Sequence, residues 1–203
     1  QPDEHGEVKF DVTVIAGPDT LTQQFALPMR GDLDGGADPF GDTCIPNEGR
    51  SHVTNGTSIC YTANPPASGA HFSAANVAPV APGFFDEALA TERWVHNLEH
   101  GTIVLLYDCG GPCSDDIKDQ LRALFDSVPA SPRFNEKKMV ITRYAGLGPA
   151  CPGTSTFPSS GPFLAIGWDV QRSFNTLDTD GILAFYSRHV DHGPEDQPIP
   201  AAP

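Results

Sequence analysis

One segment near the middle of the chain constrains the fold most, because a polar run ends there and an apolar run begins. Residues 86–100 have helix-forming composition, Gly101 follows them, and residues 102–107 form a largely apolar, β-branched run. Glycine adopts the left-handed conformation that ends many helices at little cost, and a short run of this kind predicts a buried strand. We therefore expect a helix that ends at Gly101 and leads directly into a sheet.

Further strands and helices are predicted around that sheet. Strands are indicated by alternating or β-branched patterns over residues 8–15, 139–144 and 163–168. Ser114 is suited to cap one helix, and a last helix begins at Thr179 or Asp180. This order predicts an α+β fold with a small mixed or antiparallel sheet, helices packed on one of its faces and long Pro/Gly-rich loops.

The chain shows no linker that divides it into several large domains. Gly and Pro number 20 each among 203 residues, which predicts many turns and ordered loops. We expect a single α+β domain over residues 46–195. An N-terminal strand and acidic loop over residues 1–45 precede it, and a Pro-rich tail over residues 196–203 follows.

The charge of the chain excludes some partners. The formal net charge is −14, and only 12 Lys and Arg residues are available to form a basic face, so we expect no nucleic-acid partner. No apolar stretch approaches the length of a membrane span. The acidic loop contains Asp32, Asp34 and Asp38, which could hold calcium or form a solvated surface loop. The sequence does not indicate an oligomeric state.

Five cysteines lie in loop-like sequence, which favours disulfide bonds and an oxidising compartment. We expect Cys44 to pair with Cys60, and a second bridge to join Cys113 to either Cys151 or Cys109. A zinc ribbon requires paired C-x-x-C spacings, which the chain lacks. The chain begins at Gln1 without a basic, apolar leader. We therefore expect a secreted or periplasmic protein whose signal peptide has been removed.

The end of the central helix has the residue types of a metal site. His96 and His100 are four residues apart, so they share one face of a helix. Neutral imidazole binds copper and zinc well. His71 is the expected third ligand, because two prolines and a Ser-Gly turn lead the chain rigidly to it. Glu99 could be a fourth ligand, an orienting partner or a general base, and His52 is a weaker candidate.

These residues leave three functions open. The first is an extracytoplasmic protein that binds one copper or zinc ion, although only Met29 and Met139 are present and a Met-rich copper carrier is excluded. The second is a metal-dependent enzyme, either an oxidase or oxygenase or a hydrolase with Glu99 as the base. The His-x-x-Glu-His pattern also occurs in one class of zinc peptidase, where it lies inside a helix. The third is a structural or partner-binding domain with a His/Glu polar core.

Several segments of the chain resemble a bacterial family known as domain of unknown function 3105. The family has a Tyr followed by a Pro-Pro-Thr-Ser-Gly-Pro-His run, then Val-His-Asn-Leu-Glu-His-Gly before a hydrophobic strand, then a Trp segment and a Gly-Pro-Glu ending. The counterparts in this chain are Tyr61, residues 65–71, residues 95–101, Gly167-Trp168 and Gly193-Pro194-Glu195.

The resemblance runs from about His52 to Glu195, and the first 45 residues lie outside it. Ala67 and Ala70 replace the family's Thr and Pro, and Ile166 also departs from the small residues before the Trp, but no His or Glu is lost. The family is mostly exported or membrane-anchored and has no established activity. The resemblance therefore implies the site and the compartment without implying a reaction.

Overall fold

A computed structural model describes residues 7–16, 19–28, 40–144, 146, 161–195 and 197–199. The chain divides into two compact units, Gln1–Cys44 and Ile45–Pro203. The acidic loop with Asp32, Asp34 and Asp38, for which calcium binding and a solvated surface loop are the two alternatives, lies outside the described residues. None of the helices in the described part of the chain combines the length and the hydrophobicity of a transmembrane span.

The first unit contains an antiparallel hairpin of two ten-residue strands. Strand β1 (Glu7–Ala16) pairs with β2 (Asp19–Pro28) along its whole length. The strand predicted over residues 8–15 is therefore confirmed, whereas its partner was not predicted. A two-residue strand, β3 (Thr43–Cys44), follows.

The second unit is built around a mixed sheet. Its elements are β4 (His52–Val53), β5 (His71–Phe72), β6 (Gly83–Ala88), α1 (Thr91–Glu99), β7 (Ile103–Tyr107), α2 (Asp115–Ser127), β8 (Met139–Arg143), β9 (Phe163–Gly167), β10 (Val170–Phe174) and α3 (Thr179–His189). Five of these strands lie side by side in the order β10-β9-β7-β8-β6. Strands β6, β8 and β7 are parallel, and β7, β9 and β10 are antiparallel. The predicted α+β class with a mixed sheet is confirmed.

Helices cover both faces of this sheet, so the expectation that they cover one face is wrong. Ile103, Leu105 and Tyr107 of β7 belong to the core that includes residues of α2 and α3. Val104 and Leu106, which alternate with them, belong to the core that includes the apolar residues of α1. Every residue of β7 is completely buried. A strand buried on both faces requires apolar cover on both, and α1 supplies the second layer.

Local composition misplaced the start of the central helix. The helix expected from residue 86 begins at Thr91, because residues 83–88 form β6, which pairs in parallel with β8. Phe84 stacks on Tyr107, and the Tyr107 hydroxyl donates to the Phe85 carbonyl. These contacts join segments that are distant in the sequence, and they outweigh the weak helical preference of residues 86–88.

The cysteines differ in part from the expected pairing. Cys109 and Cys113 form a disulfide, which was one of the two alternatives for the second bridge. Cys60 is also disulfide-bonded, whereas Cys44 keeps a thiol, so the predicted Cys44–Cys60 bridge is wrong. Proximity in sequence does not decide pairing, because a disulfide requires two Cα atoms within a narrow range of separation. Cys151 lies outside the described residues.

Helix α1 ends at the predicted glycine. Gly101 has φ +74°, and its N–H donates to the Leu98 carbonyl while the Thr102 N–H donates to the Asn97 carbonyl. This is the pattern of a helix that closes with a left-handed residue. A Cβ atom on Gly101 would overlap the backbone of Asp191, so the segment after α3 packs closely against the end of α1.

We predict that Gly101→Ala destabilises the protein more than Gly110→Ala. Both glycines have positive φ, but a Cβ at Gly110 would meet no atom within 4 Å. The left-handed conformation costs each variant about 1–2 kcal/mol, and the overlap at Gly101 adds about 1–3 kcal/mol. Urea unfolding measures both changes, and equal losses of stability would show that the close approach is unimportant.

Candidate metal site

Helix α1 is short and almost wholly buried, and its two sides differ in chemistry. Eight of its nine residues are buried. Trp94, Val95 and Leu98 pack into the core against the sheet. His96 and Glu99 are also buried, so their polar atoms need partners inside the protein. The polar side of α1 therefore has to be matched by the loops that cover it.

The loop that follows β5 is tied to α1 through Asn97. The Asn97 amide nitrogen donates to the Val80 carbonyl at 2.8 Å, and its oxygen accepts from the Val80 N–H at 2.9 Å. Arg93 donates from Nε to the carbonyl of Val77 at 2.9 Å. These bonds hold the loop beside the histidines of the helix.

The segment before β5 fixes the position of His71. Gly69 has φ +124°, and a Cβ atom there would overlap the ring of Tyr61. The Tyr61 hydroxyl donates to the Ala70 carbonyl at 2.6 Å, and the Ser68 hydroxyl accepts from the N–H of Glu48. Burial raises the pKa of Tyr61, so this hydroxyl stays protonated and keeps its donor. The expected rigid approach to His71 is therefore present.

A short parallel pairing brings His52 beside His71. Strands β4 and β5 pair so that His52 lies opposite His71, and the His71 N–H donates to the Ser51 carbonyl. The two ring centroids are 5.0 Å apart. The His52 side chain is 48% exposed, whereas that of His71 is completely buried. His52 thus lies at the solvent side of the cluster.

Four side chains converge at this point. His52, His71, His96 and Glu99 each offer one ligand atom, and these four atoms lie within 4.8 Å of one another. The His96 ring centroid is 4.8 Å from that of His71 and 5.2 Å from that of His52. Such a group is close enough to hold a metal ion.

Backbone carbonyls fix the tautomers of the two buried histidines. His71 Nδ1 lies 2.8 Å from the Gly69 carbonyl oxygen, and His96 Nδ1 lies 2.6 Å from the Phe72 carbonyl oxygen. A carbonyl can only accept, so each Nδ1 carries the proton. In the neutral ring the Nε2 atom then presents a lone pair. Metal-binding histidines are commonly oriented in this way.

The most informative distance joins His71 to Glu99. His71 Nε2 and Glu99 Oε2 are 2.8 Å apart, and both side chains are buried. When His71 is neutral with its proton on Nδ1, both of these atoms are acceptors. Either a second proton on His71, which makes the ring an imidazolium paired with the Glu99 carboxylate, or a metal ion bound by both atoms satisfies this contact.

The electrostatic setting keeps His96 neutral and Glu99 charged. Burial lowers the pKa of His96 to about 4, although its hydrogen bond to the Phe72 carbonyl opposes this effect. Burial alone raises the pKa of Glu99, but its hydrogen bonds to His71 and His52, and the charge that these rings carry when they are protonated, outweigh it, and the net shift is downward. A neutral imidazole and an ionised carboxylate are the forms that bind metals.

His100 and Glu195 lie directly beside this cluster. His100 Nε2 is 3.1 Å from His96 Nε2 and 3.4 Å from Glu195 Oε2. Glu99, His100 and Glu195 form a second group whose ligand atoms lie within 4.8 Å of one another. The Glu195 N–H donates to the Glu99 carbonyl, which ties this part of the chain to the end of α1.

An open cleft leads to both groups. It has a volume of about 380 Å³ and is lined by His52, Ser73, Ala74, Ala75, Ala78, Pro79, His96, His100, Glu195 and Gln197. Solvent or a small molecule can therefore approach the histidines from this side. His71 and Glu99 do not line the cleft and lie behind it.

The structure brings the predicted residues together and places His52 and Glu195 beside them. His71, His96 and Glu99 meet in one group, and His100 contacts it through His96. The sequence makes His52 a weaker candidate, and only its pairing with His71 shows that it lies in this group. Glu195 belongs to the Gly-Pro-Glu segment of the family resemblance, which implies no role for it. The only sequence signal for it was the Gly-Pro-Glu segment near the end of the chain.

The family described as "Protein of unknown function (DUF3105)" matches residues 52–201, and the chain belongs to this family. The match includes every residue of the two groups described above. No curated protein and no solved structure matches the chain significantly.

We predict that acid destabilises the metal-free protein through His96. An unfolded histidine takes up a proton near pH 6.5, whereas folded His96 does so only near pH 4. Between these values the unfolded state binds more protons, so stability falls as the pH is lowered. Urea unfolding at about pH 7 and about pH 5.5 measures this loss, and both values lie above the ordinary Glu pKa. His96→Gln should lose less stability than the wild type over this interval; an equal loss would contradict the assignment.

Proposed function

We propose that this member of the family binds a transition-metal ion, copper or zinc, through His71, His96 and Glu99, with His52 completing the shell from the solvent side. The observation that carries the proposal is the convergence of four ligand atoms, from His52, His71, His96 and Glu99, within 4.8 Å of one another. His71 Nδ1 is committed to the Gly69 carbonyl, so its Nε2 atom faces Glu99 Oε2, and either a second proton on His71 or a metal ion bound by both atoms satisfies this contact. His96 adds a third lone pair fixed in the same manner.

The ligand chemistry supports a borderline metal ion. Three imidazole nitrogens and one carboxylate oxygen suit Zn²⁺ or Cu²⁺, whereas Ca²⁺ and Mg²⁺ prefer oxygen ligands alone. The four residues of the group include no cysteine, a sulfur ligand typical of Cu⁺ carriers, and Met139 belongs to the core that includes residues of α2 and α3. The sequence expected one ion held by His71, His96, His100 and Glu99. The geometry favours His52 over His100 for the first ion, because His52 belongs to the same group.

The compartment proposed for this function is outside the cytoplasm. The Cys109–Cys113 disulfide and the disulfide-bonded Cys60 are typical of proteins in oxidising surroundings. The net charge of −14 is compatible with a secreted or periplasmic protein and disfavours a nucleic-acid partner. The partner in this proposal is a metal ion.

A metal-dependent enzyme is the second candidate, and the cleft favours it. The cleft reaches His52 and His96, so a water molecule or a small substrate could bind at an open position on the metal. Glu99 is poorly suited to act as the general base that the sequence suggested. Its side chain is only 1% exposed, and its Oε2 atom already faces His71 and His52.

We predict that the protein purified from metal-replete medium contains copper or zinc, which elemental analysis measures. His71→Gln and His96→Gln should lose the ion, whereas His192→Gln should keep it, because His192 is an exposed histidine outside both groups. At an ion concentration 100 times the Kd, the bound ion should stabilise the wild type by about 2.7 kcal/mol.

The opposite result would support a purely structural His/Glu core. In that case the wild type would contain no metal, and adding Zn²⁺ or Cu²⁺ to the chelator-treated protein would leave its unfolding unchanged. Circular dichroism of each variant checks that the substitution has preserved the fold.

A further inference from the structure

We propose a second metal position beside the first, in which His100 and Glu195 hold a divalent transition-metal ion and Glu99 is shared between the two positions. This inference rests on the proposed function, since it assumes that the first group binds metal. It goes further because it assigns a role to Glu195 and changes the site from a mononuclear to a dinuclear one.

The shared carboxylate is the first observation behind the proposal. Glu99 belongs both to the group with His52, His71 and His96 and to the group with His100 and Glu195. A carboxylate has two oxygen atoms and can bind a different cation with each. Two-metal sites commonly place their ions about 3.5–4 Å apart, which a bridging carboxylate can span.

The second observation concerns the ring of His100. Its Nδ1 atom faces the carbonyl oxygen of Pro198 at 3.3 Å, which favours a proton on Nδ1. The Nε2 atom then points a lone pair toward His96 Nε2 at 3.1 Å and Glu195 Oε2 at 3.4 Å. His96 Nε2 is itself an acceptor, because its Nδ1 donates to the Phe72 carbonyl. His100 Nε2 therefore faces two further acceptors, whereas His71 Nε2 faces one in Glu99 Oε2.

Close packing of the backbone brings Glu195 to this place. A Cβ atom on Gly193 would overlap the Glu99 carbonyl, so only glycine permits this approach of the chain to the end of α1. The Glu195 N–H then donates to the same carbonyl at 3.0 Å. Behind the site, the buried Lys138 donates to the carbonyls of His100 and Gln197. The segment that carries Glu195 is thus held from both sides.

The two positions differ in the number of their protein ligands. The cleft reaches both of them, because His52 and His96 of the first position line it together with His100 and Glu195 of the second. The first ion would have four protein ligands and the second three. With three protein ligands, the second ion would keep coordination positions open to water from the cleft. We therefore expect the first ion to be retained during purification and the second to exchange readily.

Equilibrium dialysis of the chelator-treated full-length protein against Zn²⁺ tests the inference. We expect two equivalents for the wild type and one for Glu195→Gln and for His100→Gln, whose affinity for the second ion should fall more than about tenfold. Glu87→Gln removes an exposed carboxylate outside both groups and should still bind two. His71→Gln should lose the tighter of the two binding events. Thermal unfolding without metal checks that every variant folds.

The possible failures are distinguishable. A wild type that binds one equivalent, with the same affinity in Glu195→Gln, overturns the second position and leaves the proposed function standing. Two equivalents in both the wild type and Glu195→Gln would place the second ion elsewhere and also overturn the inference. A wild type that binds no Zn²⁺ and no Cu²⁺ removes the proposed function together with the inference built on it.

Discussion

The constraint on which this structure depends is a set of lone pairs that face one another behind a buried helix. Burying polar atoms without partners is unfavourable, and burying several acceptors against each other is worse. Backbone carbonyls occupy the Nδ1 atoms of His71 and His96, which directs their Nε2 atoms to the interior of the cluster. Glu99 adds a carboxylate, and the adjacent histidines lower the pKa of this group in spite of its burial. The arrangement is stable when a cation occupies it.

Much of the surrounding chain can be understood as a support for this cluster. The polar side of α1 carries the candidate ligand atoms, and its apolar side is packed against a strand that is buried throughout. Gly101 ends the helix at the site and lets the segment after α3 approach it. The ammonium group of Lys138 donates to the His100 carbonyl at the C-terminal end of α1, where a positive charge is favourable. Ligands held on such rigid elements need little rearrangement when a metal binds.

Local sequence patterns predicted the parts of the site that depend on local structure. His96, Glu99 and the Gly101 stop follow from helical spacing and helix-capping rules, and His71 follows from the rigid segment before it. His52 could not be ranked in this way, because it joins the cluster through a two-residue parallel pairing with β5. Glu195 is 96 positions after Glu99 and arrives through a close backbone approach at Gly193, which no periodicity indicates. Residues 86–88, the last three of β6, were wrongly included in the predicted helix, because the pairing of β6 with β8 also depends on distant residues.

The most direct test of the central claim is anomalous diffraction from crystals of the metal-loaded protein, measured at the absorption edges of zinc and copper. The account predicts a strong peak about 2.0–2.2 Å from His71 Nε2, His96 Nε2 and a carboxylate oxygen of Glu99. A protein that crystallises in the same fold from metal-loaded solution with no anomalous peak at these atoms, or with its only peak elsewhere, would contradict it.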